Sequence, residues 1–218
     1  LRCEQFGAGM ITGWGAHHLD IAHWAMDQEY GGPISATALA TFPAPGSGLW
    51  DVHGNYHVRL NYPNEVSVYV GDFYPTGVKF LGEEGWIWVT RGKYKAGESA
   101  PGSRSAALDA HDPRILRKGI KRNEIHLHAS PQEDHHLDWL TSVRTRKPPA
   151  TNAEIGHRSC SACLVAHIAM QVPSELKWDA AIERFTNSEE ANGHLRREQR
   201  APYGTRAVLE RAGLSASA

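Results

Sequence analysis

Val78-Lys-Phe-Leu-Gly-Glu-Glu-Gly-Trp-Ile-Trp-Val-Thr90 is the stretch that decides the fold. Two short runs of aliphatic and aromatic residues flank Gly82-Glu-Glu-Gly85, a turn that joins neighbouring strands as a tight hairpin. Strands joined this way run antiparallel. The chain before the hairpin repeats the pattern. Ile34–Phe42 is rich in Thr and Ala with interspersed apolar residues. Between Val52 and Asn61, Val52, Gly54, Tyr56, Val58 and Leu60 fall on one side and His53, His57 and Arg59 on the other. Val66, Val68 and Val70 then alternate with Glu65, Ser67, Tyr69 and Gly71.

Helical signals lie on either side of this β-rich middle. Residues 16–27 place His17, Asp20, Ile21 and Trp24 at i, i+3, i+4 and i+7, and Gly31-Gly32-Pro33 breaks the helix. Ser130-Pro-Gln-Glu133 reads as a capping box for a helix that buries Leu137, Leu140 and Val143 and ends before Lys147-Pro-Pro149. Thr151-Asn-Ala-Glu154 opens another, running to about Gln171, whose Ser159, Ala162, Ala166 and Ala169 suit close packing on a sheet. Asn187-Ser-Glu-Glu190 caps a last short helix. The resulting fold class is α+β: a mostly antiparallel open sheet with helices packed on one face. Residues 91–124 lose all periodicity and read as a long loop, and 204–218 as a disordered tail.

The 218 residues are 41% hydrophobic and 22% charged with a formal net charge of −1. That balance suits a globular domain and gives no basic excess for nucleic acid. No apolar run reaches the roughly 18 residues of a membrane span. The three cysteines make no disulfide framework, and Cys160 and Cys163, i and i+3 on a helix, read as small buried hydrophobes. The expected compartment is the cytoplasm rather than the periplasm.

Candidate chemistry gathers at Phe6-Gly-Ala-Gly-Met-Ile-Thr-Gly-Trp-Gly-Ala-His-His-Leu-Asp20. It is not a dinucleotide fingerprint, because Gly13 falls one residue too far for Gly-x-Gly-x-x-Gly and no hydrophobic strand precedes it. No NAD or NADP is expected on this chain alone. His17-His18-x-Asp20 admits three readings: acid–base or substrate-binding groups in a cleft, a metal site whose spacing fits no standard ligand set, or a helix start steadied by His18 and Asp20. Metal ligands are not expected, and His17 is the strongest catalytic candidate. In Gly156-His157-Arg158-Ser159 the arginine either binds a hydroxylated or anionic substrate or pairs with a surface carboxylate. His53 and His57, with Tyr56 opposite, either line a cleft or face water, and water is the expectation. Thirteen histidines scattered along the chain favour several structural ones beside one functional group.

Together, Phe6-x-x-Gly-Met-x-Thr-x-Trp-Gly-Ala-His-His-x-Asp20, Val78-Lys-Phe-x-Gly-x-Glu-Gly-Trp86, Gly156-His-Arg-Ser159, Trp178-Asp179 and Ser188-Glu-Glu-Ala-Asn192 closely resemble motifs of the glucose-fructose oxidoreductase / inositol dehydrogenase (Gfo/Idh/MocA) family. The likeness is to the second domain of its bacterial sugar-oxidoreductase branch and runs from about residue 3 to 203. It implies a C-terminal substrate-binding and oligomerisation domain over residues 1–203, shortened at its N-terminus. It further implies a homo-oligomer formed through the open sheet face, and NAD or NADP carried by an N-terminal Rossmann domain acting in cis or in trans. By resemblance, His17 is the catalytic histidine. Trp14, His18, Arg158, His157 and Tyr56 form the candidate substrate-binding set for a sugar or polyol. Gly13 stands where the family's Asp-x-x-x-His pattern expects the aspartate, and the family's lysine belongs to the Rossmann domain. The implied function is the substrate-binding part of an NAD(P)-dependent sugar oxidoreductase, inactive alone. The alternatives are a non-catalytic sugar-binding or assembly module and part of an NAD-assisted glycosidase.

Overall fold

The computed structural model describes residues 1–90, 108–117, 119 and 134–214. In chain order the elements are α1 (Trp14–Ala25), β1 (Ser35–Ala40), β2 (Tyr56–Asn61), β3 (Ser67–Gly71), β4 (Val78–Gly82), β5 (Gly85–Val89) and β6 (Leu108–Ala110). They continue with α2 (His135–Thr145), α3 (Ala153–Gln171), β7 (Leu176–Asp179), β8 (Arg184–Phe185), α4 (Glu189–Gly193) and α5 (Thr205–Arg211). The fold is α+β with two open antiparallel sheets, ordered β3-β2-β1-β7-β8 and β4-β5-β6.

Alternation sets the faces of the larger sheet. Ala36 lies opposite both Leu60 and Leu176, and Ala38 opposite Val58. Val58, Leu60 and Leu176 are fully buried, and each such aliphatic side chain contributes about 1.5–3 kcal/mol. The helix laid over this face is α3, and it closes tightly because Ala162, Ala166 and Ala169 present almost no bulk. Its start is fixed by Asn152, whose Oδ1 accepts from the backbone N–H groups of Glu154 at 3.0 Å and Ile155 at 3.2 Å. Next, α1 packs on α3 through Leu19, with Ile11 sealed beneath the turn that precedes it. The other face of the sheet is open: Arg59 and Tyr69 are exposed, and Leu39 is 77% exposed.

The smaller sheet is the hairpin named by its sequence, with a two-residue turn and Gly82 opposite Gly85. Gly85 has φ +148°, and a Cβ there would meet the His111 imidazole, so only glycine fits. Within the expected loop at 91–124, Leu108–Ala110 adds a third strand opposite Val89, Trp88 and Ile87, and Ile115–Arg117 makes a 3₁₀ turn. Three residues are too few to show alternation in a sequence. The rest of that expectation, and the capping box at 130–133, lie outside the described residues.

Four further expectations are corrected. The side chain that caps α2 is Asp134, accepting from the backbone N–H groups of His136 and Leu137. No residue of α2 is buried, and Leu137, Leu140 and Val143 are all exposed. Periodicity marks an apolar stripe but not whether anything covers it. Residues 205–211 form α5 instead of a disordered tail; Gln199 Oε1 accepts from Thr205 N–H at 2.7 Å, and Arg211 reaches the Pro202 carbonyl at 2.7 Å. Of the cysteine pair, Cys163 is buried but Cys160 is exposed, because a three-residue step on a helix carries a side chain most of the way to the edge of the packed face.

Candidate functional site

The chain enters α1 through a glycine turn. Thr12 ties it together, its Oγ1 accepting from Ala8 N–H at 3.2 Å and donating to the Gly9 carbonyl at 3.1 Å. Gly9 has φ +84°, and a Cβ there would come within 2.7 Å of His53 Cδ2, so backbone rests directly on imidazole. Gly13 is the N-cap and supplies no side-chain hydrogen bond, and the first turn of α1 holds no acidic residue. A side chain at position 13 would find its place taken by Leu1, whose Cδ2 lies 2.6 Å from where the Cβ would stand.

Trp14, His17 and His18 project from this helix start as one group. The Trp14 ring meets His17 edge-on at 5.7 Å and lies nearly parallel to His18 at 6.1 Å. Trp14 is 49% exposed and His17 is also exposed. His17 lines a hollow of about 280 Å³ between α1 and the beginning of α3, with Asp20 and Ile21 on its own helix and Gly156, Ser159 and Cys160 opposite. Ser159 Oγ donates to Asp20 Oδ1 at 2.8 Å, which locks the two walls together. None of the three readings of His17-His18-x-Asp20 includes this cross-link.

The other candidates stand elsewhere or are engaged. Arg158 Nε donates to Glu154 Oε1 and Nη1 to the Ala180 carbonyl, both at 2.6 Å, and Nη1 lies 3.5 Å from Glu183 Oε1. His157 pairs with the same Glu183 carboxylate. Both residues thus tie α3 to the turn before β8. Tyr56 points to the packed face of the sheet, its ring meeting His53 edge-on at 4.5 Å, and burial pushes its hydroxyl up to about 12.

His53 corrects the expectation that it faces water: it is 3% exposed. The loop before β2 does not keep the strand's alternation, so strand parity misassigned it. Two more imidazoles are sealed in the core. His23 shares a 2.8 Å hydrogen bond with the Tyr62 hydroxyl, and His167 Nε2 lies 3.3 Å from Glu4 Oε1. Burial drives His23 down from 6.5 to about 4, overriding the opposing pull of Asp20. Burial also lowers His53 and His167. The one sequence signal for His23 is its place on the face of α1 that carries Gly15, Leu19 and Ala22.

Among the described residues no three His, Cys, Asp or Glu groups gather as a metal site, and no helix is long and apolar enough to cross a membrane. In chain order α1 and its glycine turn come before β1.

The fold and hollow together define an α+β domain with an accessible cleft between α1 and the start of α3. Residues 115–205, less than half of the chain, match the family model described as "Oxidoreductase family, C-terminal alpha/beta domain". No curated protein matches it. Among solved structures it is similar to an oxidoreductase from Agrobacterium radiobacter in complex with NAD+, L-tartaric acid and magnesium. The identity is 14% over 75% of this chain and 47% of that one, with a TM-score of 0.43. It is also similar to an NAD-binding protein from Listeria innocua, at 13% identity over 78% of this chain and 47% of that one, with a TM-score of 0.44. The chain therefore spans about half the length of these structures, and neither likeness assigns a role to any residue here.

Proposed function

We propose that this chain is the substrate-holding domain of an NAD(P)-dependent sugar or polyol oxidoreductase, and that its working end is the start of α1. The observation carrying the proposal is the Trp14–His17–His18 group, with Trp14 and His17 exposed, beside a hollow lined by His17, Asp20 and Ser159. Trp14 offers an aromatic face to the apolar side of a sugar ring, with His18 stacked beside it as part of the same substrate-binding group. His17 takes or returns the proton of the reacting hydroxyl, the acid–base role to which imidazole is suited. With Arg158 and His157 held by Glu154 and Glu183, their part is to fix the α3 wall of the hollow. In line with the family resemblance, the proposal places NAD or NADP on a separate domain, in cis or in trans. The open sheet face, with Leu39 and Tyr69 exposed, is the surface for a second copy of the chain.

Gly13 favours one further reading, a module that binds sugar without catalysis. The position expected to carry a carboxylate has none, and Leu1 fills the space a side chain would need.

Calorimetry of the chain against a panel of monosaccharides, disaccharides and polyols tests the shared core of both readings. Binding of at least one ligand, weakened about tenfold or more by Trp14→Ala, supports it; loss of one well-placed contact of about 1.4 kcal/mol gives that factor. Absence of binding across the panel overturns it. Turnover in a protein rejoined to its cofactor domain, lost in His17→Ala, then separates the oxidoreductase from the silent module.

A further inference from the structure

The described lining of the hollow carries four polar groups: His17 and Asp20 from α1, Ser159 and Cys160 from α3. The rest of that lining is alanine, isoleucine and glycine. Donors are scarce among them. Ser159 Oγ gives its proton to Asp20 Oδ1 at 2.8 Å, so the hydroxyl has only lone pairs left to offer. A carboxylate has no proton to give, and the Cys160 thiol is a weak donor. The start of α3 could have presented bare N–H groups, but Asn152 closes it. The Glu154 and Ile155 N–H groups bond to Asn152 Oδ1, and the Gly156 N–H bonds to the Asn152 carbonyl at 3.2 Å.

Positive charge is turned away from the hollow as well. Arg158 falls between Gly156 and Ser159 in the chain, yet it is not part of the described lining. Its guanidinium is directed to Glu154, the Ala180 carbonyl and Glu183 instead. His157 pairs with the same Glu183. Asp20 is therefore the one carboxylate in the described lining, and no lysine or arginine stands there beside it. It is half-buried, with Oδ1 held by Ser159.

We propose that the hollow selects ligands by their hydrogen-bond donors: it takes neutral hydroxyls, holds an ammonium group more tightly, and excludes carboxylates and phosphates. Asp20 is the selecting residue, with Ser159 fixing Oδ1 and Oδ2 left to the ligand. An amino sugar thus binds better than its parent sugar, and the parent better than its sugar acid. A ligand carboxylate entering here would lose water beside a like charge, with no guanidinium in the described lining to receive it. An ammonium group would gain a charge-assisted hydrogen bond. Because Asp20 is only half-buried, water screens both effects and moderate factors are expected. The inference rests on the proposed reading of the hollow as a sugar site and states which members of that class it prefers.

The test is calorimetry at about pH 7 with two trios matched at one carbon: glucose, 6-amino-6-deoxyglucose and glucuronate, and the galactose counterparts. The chain is compared with Trp14→Ala and Asp20→Asn. In at least one trio the amino sugar is expected to bind about threefold or more tighter than the parent, and the acid about threefold or more weaker. Asp20→Asn keeps an oxygen for Ser159 and removes the charge, so it should bring the three ligands within about twofold of one another. An acid that binds as tightly as its parent, with binding lost in Trp14→Ala, would overturn the inference and leave the sugar reading standing. An order of affinities unchanged in Asp20→Asn would overturn it too. So would silence from both trios, in which case the wider sugar panel still decides the sugar reading by itself. Should Asp20→Asn fail to fold, the order of affinities in the wild-type chain and its loss in Trp14→Ala decide the matter.

Discussion

The two ends of α1 treat the same side chain in opposite ways. At its N-terminal turn His17 is exposed beside a hollow and a half-exposed tryptophan. Less than two turns later His23 is fully buried and bonded to Tyr62. The same residue type is a candidate for proton transfer at one end and part of the core at the other. Environment, set by which face of the helix meets α3 and the sheet, makes the difference. Imidazole content alone therefore says little about where chemistry occurs.

The largest effect should come from the buried end. His23→Ala leaves a cavity and strips the Tyr62 hydroxyl of its partner, and urea denaturation should show a loss of about 3–4 kcal/mol. A loss below about 1 kcal/mol would mean that the buried end is not the anchor described here. Acid should act on the same residue. A histidine lowered from 6.5 to about 4 contributes stability that is fully present above pH 6.5. That contribution is lost progressively as the pH falls from there towards 4 and then levels off. A shift of that size corresponds to about 3 kcal/mol, and it should disappear from the pH profile of His23→Gln.

Smaller effects should mark the exposed end. Ser159→Ala removes the hydroxyl that bridges to Asp20 between the hollow's walls and should cost about 1 kcal/mol in the same denaturation experiment. His17→Ala should change stability by no more than about 0.5 kcal/mol, since His17 is exposed. A large loss there would move His17 into the structural class and erase the contrast between the two ends.

What could be read from the chain follows from which forces are local. The hairpin at Gly82–Gly85, the helix starts at Thr151–Glu154 and Asn187–Glu190, and the small-residue face of α3 were legible, because each depends on residues a few positions apart. So was the exposure of Trp14 and His17, since glycine-rich helix starts seldom serve as core. Long-range pairings were not legible. Nothing near Asp20 announces Ser159, 139 positions away, and nothing near His53 announces that Gly9 will rest upon it. Arg158 shows the same limit from the other side: its chemistry suits substrate, but the fold brings Ala180 and Glu183 to it. The stripe on α2 was legible as apolar, whereas its exposure was a property of the surroundings.

The most direct measurement of the central claim is an NMR titration of the chain with the tightest sugar or polyol found by calorimetry, mapping shifts residue by residue. The account expects saturable shifts concentrated at Trp14–His18 and at Gly156–Cys160, the two walls of the hollow, and their loss in Trp14→Ala. Shifts gathered elsewhere, on the open sheet face or along α2, with Trp14 and His17 silent, would contradict it.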